Sequence, residues 1–308
     1  MGSQLICDRV FEEHRTGKRH PESPDRITAI HRGYESVEDP PWTWVDPERK
    51  ATLDELTFFH TESYINEVED ACESGRSLDA DTPVSERSYE LARLAAGSSL
   101  YLAEEGAEAN EAGFGAVRPP GHHAERKRGM GFCLFNNIVL AAEAITRRNE
   151  TVAIVDVDVH HGNGTQNAFY DRSDVLYVSL HQYPFYPGTG AADETGTGDG
   201  EGYTLNIPMD AGSGWNEYEP EWTGRIAERI DAFNPDHLMV SAGFDAHDSD
   251  PIGGLSLTNV DYLEIASDLR QWSKKYCNGR LLGLLEGGYN LETLEQLVPK
   301  FTKVLLKQ

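Results

Sequence analysis

The segment Asp156-Val-Asp-Val-His-His-Gly-Asn-Gly164 follows an apolar run and sets two carboxylates and an imidazole at alternate positions. In an extended strand alternate side chains share a face. Asp156, Asp158 and His160 are therefore predicted to point one way while Val155, Val157 and Val159 pack on the other. Two carboxylates and an imidazole leaving a buried strand are costly to bury without a compensating cation. A divalent metal supplies that charge, and these ligand types suit zinc or a similar first-row ion. The plain alternative is a solvated Asp pair at a strand end. A catalytic zinc commonly takes three protein ligands and keeps a place for water. Asp245, just past the apolar run 237–241, is the candidate third ligand; Asp245, Asp248 and Asp250 equally suit turn and helix caps.

Two further groups could act on a substrate. Arg118-Pro-Pro-Gly-His-His-Ala124 places adjacent histidines, His122 and His123, in a Gly-Pro loop after another apolar run. Glu286-Gly-Gly-Tyr-Asn290 follows the run 281–285, and its glycines let the backbone bend tightly and aim Tyr289. Taken singly, a surface His pair and a packed aromatic explain these equally well.

Apolar runs alternate with helix-length segments. Strands are predicted at 4–7, 113–117, 151–156, 175–179, 237–241 and 281–285, and helices at 24–35, 86–105, 136–147, 215–233, 259–275 and 291–306. Thr52-x-x-Glu55 is a capping-box pattern. Strand and helix in alternation imply right-handed crossovers and an open α/β, mainly parallel sheet flanked by helices. In such sheets ligands gather at the carboxyl ends of the strands, where all the residues above lie. The glycine-rich stretch 188–202 reads as a long loop, so residues 1–308 are expected to form a single domain.

There are 52 acidic and 27 basic residues, for a net charge of -25. Such a surface repels nucleic-acid backbones and anionic membranes and favours a cationic ligand. Only 8 of the basic residues are Lys, and abundant acids with scarce Lys equally suit solubility in strong brine. Cys7, Cys72, Cys133 and Cys277 form no C-x-x-C motif, and nothing demands disulfides. With no apolar signal segment and no long apolar stretch, a cytoplasmic location is the expectation.

Together these segments resemble the zinc-dependent histone deacetylase family, with its arginase/deacetylase fold, over nearly the whole chain. The resemblance rests on seven motifs in order: 20–26 (HPESPDR), 118–124 (RPPGHHA), 131–137 (GFCLFNN), 156–164 (DVDVHHGNG), 186–190 (YPGTG), 243–245 (GFD) and 287–290 (GGYN). The wording is nearest the class II and bacterial or archaeal branch.

The resemblance implies a deacetylase catalytic domain acting on acetylated proteins, peptides or small acetylated amines. It implies one zinc at Asp158, His160 and Asp245. His122 and His123 resemble the tandem catalytic histidines and Tyr289 the transition-state donor. Asp156 would orient His122 and Asn163 would contact His123. Gly131, Phe132 and Tyr186 resemble walls of a lysine channel, Asp81 a rim acid that grips the substrate backbone, and Arg26 the lining of an inner acetate-exit channel. Ile252 stands where a polyamine-specific branch has an acidic gatekeeper. The family also binds potassium: Asp156, Asp158, His160, Ser179 and Leu180 resemble an inner site, and Phe169, Arg172, Val175 and Tyr203 an outer one. Iron(II) is the alternative to zinc.

Amide hydrolysis needs an activated water, an oxyanion stabiliser and an acid for the leaving amine. Two carboxylates and a neutral His leave the metal site near zero net charge, so a second electrophile such as Tyr289 should help. His123 is the expected base and His122 the electrostatic partner. Acetylpolyamine hydrolysis, an arginase-like two-manganese reaction and an inert acetyl-lysine reader are the competing readings; the arginase type needs a second acid two residues after Asp245, where this chain has His247.

Overall fold

The computed structural model describes residues 2–307. Eight strands, β1 (Ser3–Ile6), β2 (Trp42–Trp44), β3 (Ala112–Gly115), β4 (Val152–Asp156), β5 (Val175–Gln182), β6 (Thr204–Met209), β7 (His237–Ala242) and β8 (Leu281–Leu285), form one sheet. Its order is β2-β1-β3-β8-β7-β4-β5-β6, and every pairing between them is parallel. All residues of β3, β4, β5, β7 and β8 are buried. Near-continuous apolar runs of this kind mark a parallel sheet covered on both faces.

The longer helices supply that cover. They are α1 (Asp25–Glu35), α3 (Glu62–Ser74), α4 (Ser88–Ala109), α5 (Asn137–Thr146), α9 (Asn259–Tyr276) and α10 (Leu291–Leu305). Helix α4 packs on α5, while α10 packs on both α1 and α9. The short helices are α2 (Leu53–Leu56), α6 (Asn163–Phe169), α7 (Trp215–Pro220) and α8 (Ala227–Phe233). Thr52 caps α2 with a reciprocal capping box through Glu55, as its spacing predicts. No helix among the described residues is long and apolar enough to cross a membrane.

The structure departs from the sequence expectations in four elements and one break. Strand β2 has three residues, too few to show a period. Strand β6 contains Pro208, which argues against a strand except where its missing donor is tolerated, as on this sheet's edge. Helix α3 has an amphipathic face, a Thr61 cap and Gly75 at φ 67 at its end; those signals were legible. Helix α6 is only 7 residues long. The expected helix over 215–233 is broken by a π-helical stretch, Glu221–Ile226, which follows Pro220.

Candidate active site

Strand β4 stops at Asp156, so the predicted strand alternation does not continue through His160. Residues 158–160 instead form a bend, stitched by the side chains themselves. The Asp158 N–H donates to Asp156 Oδ1 at 3.2 Å, and the His160 N–H donates to Asp158 Oδ1 at 2.9 Å. Val157 and Val159 are fully buried between the acids. The end of β7, which pairs with β4, and the end of β8, on the far side of β7, bring Asp245 and Gly287 to the same point.

There Asp158, His160 and Asp245 each offer a ligand atom, and these atoms lie within 4.8 Å of one another, all in buried residues. The backbone N–H of Gly287 donates to Asp158 Oδ2 at 2.8 Å and that of Val159 to Asp245 Oδ1 at 2.9 Å, which aims both carboxylates. Asp245 Oδ2 lies 3.2 Å from His160 Nδ1 but finds no donor in hydrogen-bonding geometry. A buried, unpartnered carboxylate oxygen beside an imidazole nitrogen and a second carboxylate is the donor set of a divalent-metal site. A Cβ at Gly287 would run into both carboxylates, so only glycine fits there. The electrostatics say the same. Burial and the Asp158 charge push the Asp245 carboxyl up to about 7. Burial disfavours charge on His160, yet its bond to Asp158 and the nearby Asp245 carboxylate raise it to about 10. The cluster thus draws positive charge to itself.

The histidine pair stands alongside. The two rings are 4.0 Å apart at their centroids. His122 Nδ1 lies 3.1 Å from Asp156 Oδ2, and His123 Nδ1 lies 2.8 Å from Asn163 Oδ1. Burial works against charge on His122, but Asp158 and Asp156 outweigh it and raise its pKa to about 10. His123 moves the other way: burial and the charges of His122 and His160 push it well below the ordinary histidine value. The two adjacent imidazoles are thus pushed in opposite directions.

Above them lies a cavity of about 210 Å³, lined by Asp81, His123, Gly131, Phe132, His160, Phe185, Tyr186, Ile252 and Tyr289. Phe132 and Tyr289 meet edge to face at 5.9 Å, and Tyr186 meets His123 at 5.2 Å. Gly131 has φ 56, and a Cβ there would strike the His123 ring. Phe132 itself holds a left-handed φ of 70, with its N–H donating to Thr82 Oγ1 at 3.2 Å. A bulky residue kept in that region costs free energy and clusters at functional walls.

The sequence pattern described as the histone deacetylase domain matches residues 20–305. The chain belongs to the histone deacetylase family. It is 41% identical over 297 residues to histone deacetylase 15 of Arabidopsis thaliana, covering 93% of this chain and 53% of that one. It is 36% identical to a probable deacetylase of Archaeoglobus fulgidus, covering 95% and 82% of the two chains. The crystal structure of the HDA15 HD domain superposes with a TM-score of 0.93 at 37% identity, over 99% of this chain and 89% of that one. The sheet and its helices are thus the arginase/deacetylase fold.

Within this histone deacetylase framework the remaining predicted residues fall into two groups. Arg26 is fully buried behind Tyr289, with its guanidinium 5.1 Å from the ring centroid, and does not line the cavity. It donates to the carbonyls of Gly288 and Glu286 and to Glu22. Of the residues expected at potassium sites, Asp156 and Ser179 pair across β4 and β5, and Leu180 follows in β5. Phe169 ends α6 and Val175 begins β5; the Tyr203 carbonyl accepts from the Tyr177 N–H at 2.9 Å. The Arg172 side chain is paired with Glu143 and Asp174.

Two residues of the site, and the full reach of a third, escaped sequence reasoning. Glu286 Oε2 accepts the backbone N–H groups of Gly121 at 2.7 Å and His122 at 3.1 Å, which holds the histidine loop. Burial raises its carboxyl to about 7 despite the His122 charge. Phe185 stacks on His160 with centroids 5.2 Å apart. Asp250 accepts the N–H groups of Ile252 and Gly253 on one oxygen and that of Tyr289 on the other. Only adjacency to a motif residue could have pointed to any of them.

Proposed function

We propose that this chain, as one catalytic domain over residues 1–308, hydrolyses the acetyl amide of acetylated lysine side chains in proteins or peptides and releases acetate. One observation carries the reading: Asp158, His160 and Asp245 converge beside a cavity that His123 and Tyr289 also line. A zinc ion held by Asp158, His160 and Asp245 would polarise the acetyl carbonyl and lower the pKa of water.

The chain's own groups do the rest. His123 keeps its Nδ1–H on Asn163 and leaves Nε2 free to take a proton from the attacking water. Burial keeps it neutral for that task. His122, paired with Asp156, carries the positive charge that steadies the developing oxyanion. The Tyr289 hydroxyl donates to the same oxygen. His123 then returns its proton to the departing amine. Phe132, Phe185 and Tyr186 wall the apolar stem of the substrate, and Asp81 at the cavity accepts from its backbone N–H.

Acetyl-lysine is preferred over an acetylated polyamine because the lining position 252 is Ile and not an acid. A two-metal ureohydrolase is disfavoured: His247 is committed to Ser249 and Asn259. An inert reader is disfavoured by the complete set of groups. From the family resemblance, potassium would sit at Asp156, Asp158, His160, Ser179 and Leu180, and a second ion near Phe169, Arg172, Val175 and Tyr203. The cytoplasm, with its potassium and reduced thiols, suits the four free cysteines. The test is turnover of a fluorogenic acetyl-lysine peptide, with and without chelator, beside acetylated spermidine. Chelator-sensitive turnover of the peptide supports the reading; faster turnover of spermidine, or none of either, overturns it.

A further inference from the structure

An amide side chain has two unlike ends, and which end Asn163 turns toward His123 decides the chemistry of that histidine. With Oδ1 inward, the amide accepts from His123 Nδ1–H, and Nε2 keeps its lone pair. With Nδ2 inward, Nδ1 must accept, the proton moves to Nε2, and the base is lost. A carboxylate in place of Asn163 would have no such ambiguity. Something in this chain must therefore break the tie.

We infer that Glu125 is a positioning residue that fixes the Asn163 amide and, through it, the His123 tautomer. Glu125 Oε1 accepts from Asn163 Nδ2 at 2.8 Å, on the side away from the 2.8 Å contact between Asn163 Oδ1 and His123 Nδ1. An ionised carboxylate is acceptor-only, so it selects the NH₂ end of the amide and rejects the oxygen. The other neighbour of Nδ2, Met130 Sδ at 3.5 Å, is a weak acceptor and selects in the same sense. Glu125 is itself held. Its Oε1 takes a second donor, Asn167 Nδ2 at 3.1 Å, one turn along α6 from Asn163. Its backbone is fixed on both sides, because its N–H donates to the Arg128 carbonyl at 2.8 Å and its carbonyl meets His60 Nδ1 at 3.1 Å. Glu125 lies two residues past His123 in the chain yet acts from the far side of Asn163, facing a separate surface cleft shared with Asn167 and Arg126.

The inference rests on His123 serving as the base. It is tested by reversing the selector. Glu125→Lys presents only donors, so it turns the amide and should lower kcat by about 10²-fold with KM nearly unchanged. Glu125→Gln, which can satisfy either orientation, should fall between Glu125→Lys and wild type. In an Asn163→Asp background there is no amide to turn, and Glu125→Lys should cost nothing further. A purely structural loss would persist in that background, so an equal loss in both backgrounds overturns the inference. Independently, ¹⁵N-histidine spectra should show His123 protonated at Nδ1 in wild type and at Nε2 in Glu125→Lys; the Nε2 form in wild type also overturns it. If the wild type proves to have no deacetylase turnover, the spectra still decide the matter.

Discussion

The backbone N–H of Tyr289 donates to Asp250 Oδ2 at 2.7 Å, and the other oxygen of Asp250 holds Ile252 and Gly253. One carboxylate thus ties the phenol-bearing loop to the opposite wall of the cavity. Tyr289→Phe is expected to lower kcat by about 10²–10³-fold, the usual cost of an oxyanion donor. Asp250→Ala should lower it by a smaller factor, and adding it to Tyr289→Phe should change little. Steady-state kinetics of the two variants and their combination check this; full additivity would separate Asp250 from Tyr289.

His123 must be unprotonated to act as a base, and its pKa lies well below the ordinary value. A carboxylate partner favours the protonated ring. Asn163→Asp therefore raises the His123 pKa, and the acidic limb of the kcat/KM profile should move to higher pH. An unmoved limb argues against His123 as the base.

Metal should be bound at one equivalent per chain through Asp158, His160 and Asp245. Chelation should abolish turnover and lower Tm by several degrees, since a ligand specific to the folded state stabilises it by mass action. Asp245→Ala should lose both effects. Elemental analysis together with thermal unfolding measures them; two equivalents would favour the ureohydrolase reading.

Acid should destabilise the fold before most carboxylates titrate. Burial lowers the pKa of His14, His60 and His161 to about 3 and that of His181 to about 4. Each stays neutral in the folded chain while its unfolded counterpart gains a proton near pH 6.5. Stability is thus fully present above pH 6.5 and falls as pH drops toward the folded values, by up to about 1.4 kcal/mol per pH unit for each fully shifted group. His60 accepts the Asn136 N–H on Nε2, so protonation breaks that bond as well. Denaturant unfolding at pH 7.5 and pH 5 should show a net loss of several kcal/mol, roughly 2 from each of these four groups less what the raised His122 and His160 return, and His60→Gln a shallower slope.

Ile252 is the lever on substrate choice. Ile252→Glu places a carboxylate at the cavity and should raise kcat/KM for acetylated spermidine by about tenfold over the acetyl-lysine peptide, by charge attraction to the amines. Competition assays read the ratio directly.

How much of this was legible beforehand follows from what each residue does. The ligand-bearing segments announce themselves because buried acids and imidazoles after apolar runs have few uses. The histidine pair and its contacts with Asp156 and Asn163 were readable through the family resemblance, since each contact joins motif residues. Glu286 and the reach of Asp250 to Tyr289 were not, because these bonds accept backbone N–H groups from loops distant in sequence, and no spacing encodes them; the Asp250 bonds to Ile252 and Gly253 are the turn cap its residue type suggests. Arg26 resembled the lining of an inner exit channel; its pairing with Glu22 beneath the cavity emerges only in the folded chain, because a fully buried cation is identified by what neutralises it. The bends after Asp156 defeat period-two reasoning because side-chain oxygens replace the strand partners of the backbone.

Strand β8 lies between β3 and β7, so the sheet divides at that point into β2-β1-β3 and β7-β4-β5-β6. During synthesis β8 emerges last of the eight. Until Leu281–Leu285 leaves the ribosome, β3 and β7 lack the strand that joins them, and Gly287 is not yet there to brace Asp158. The keystone of the arch is set only after the other seven strands have been made, and a product truncated before it is exposed to mispairing at both rims.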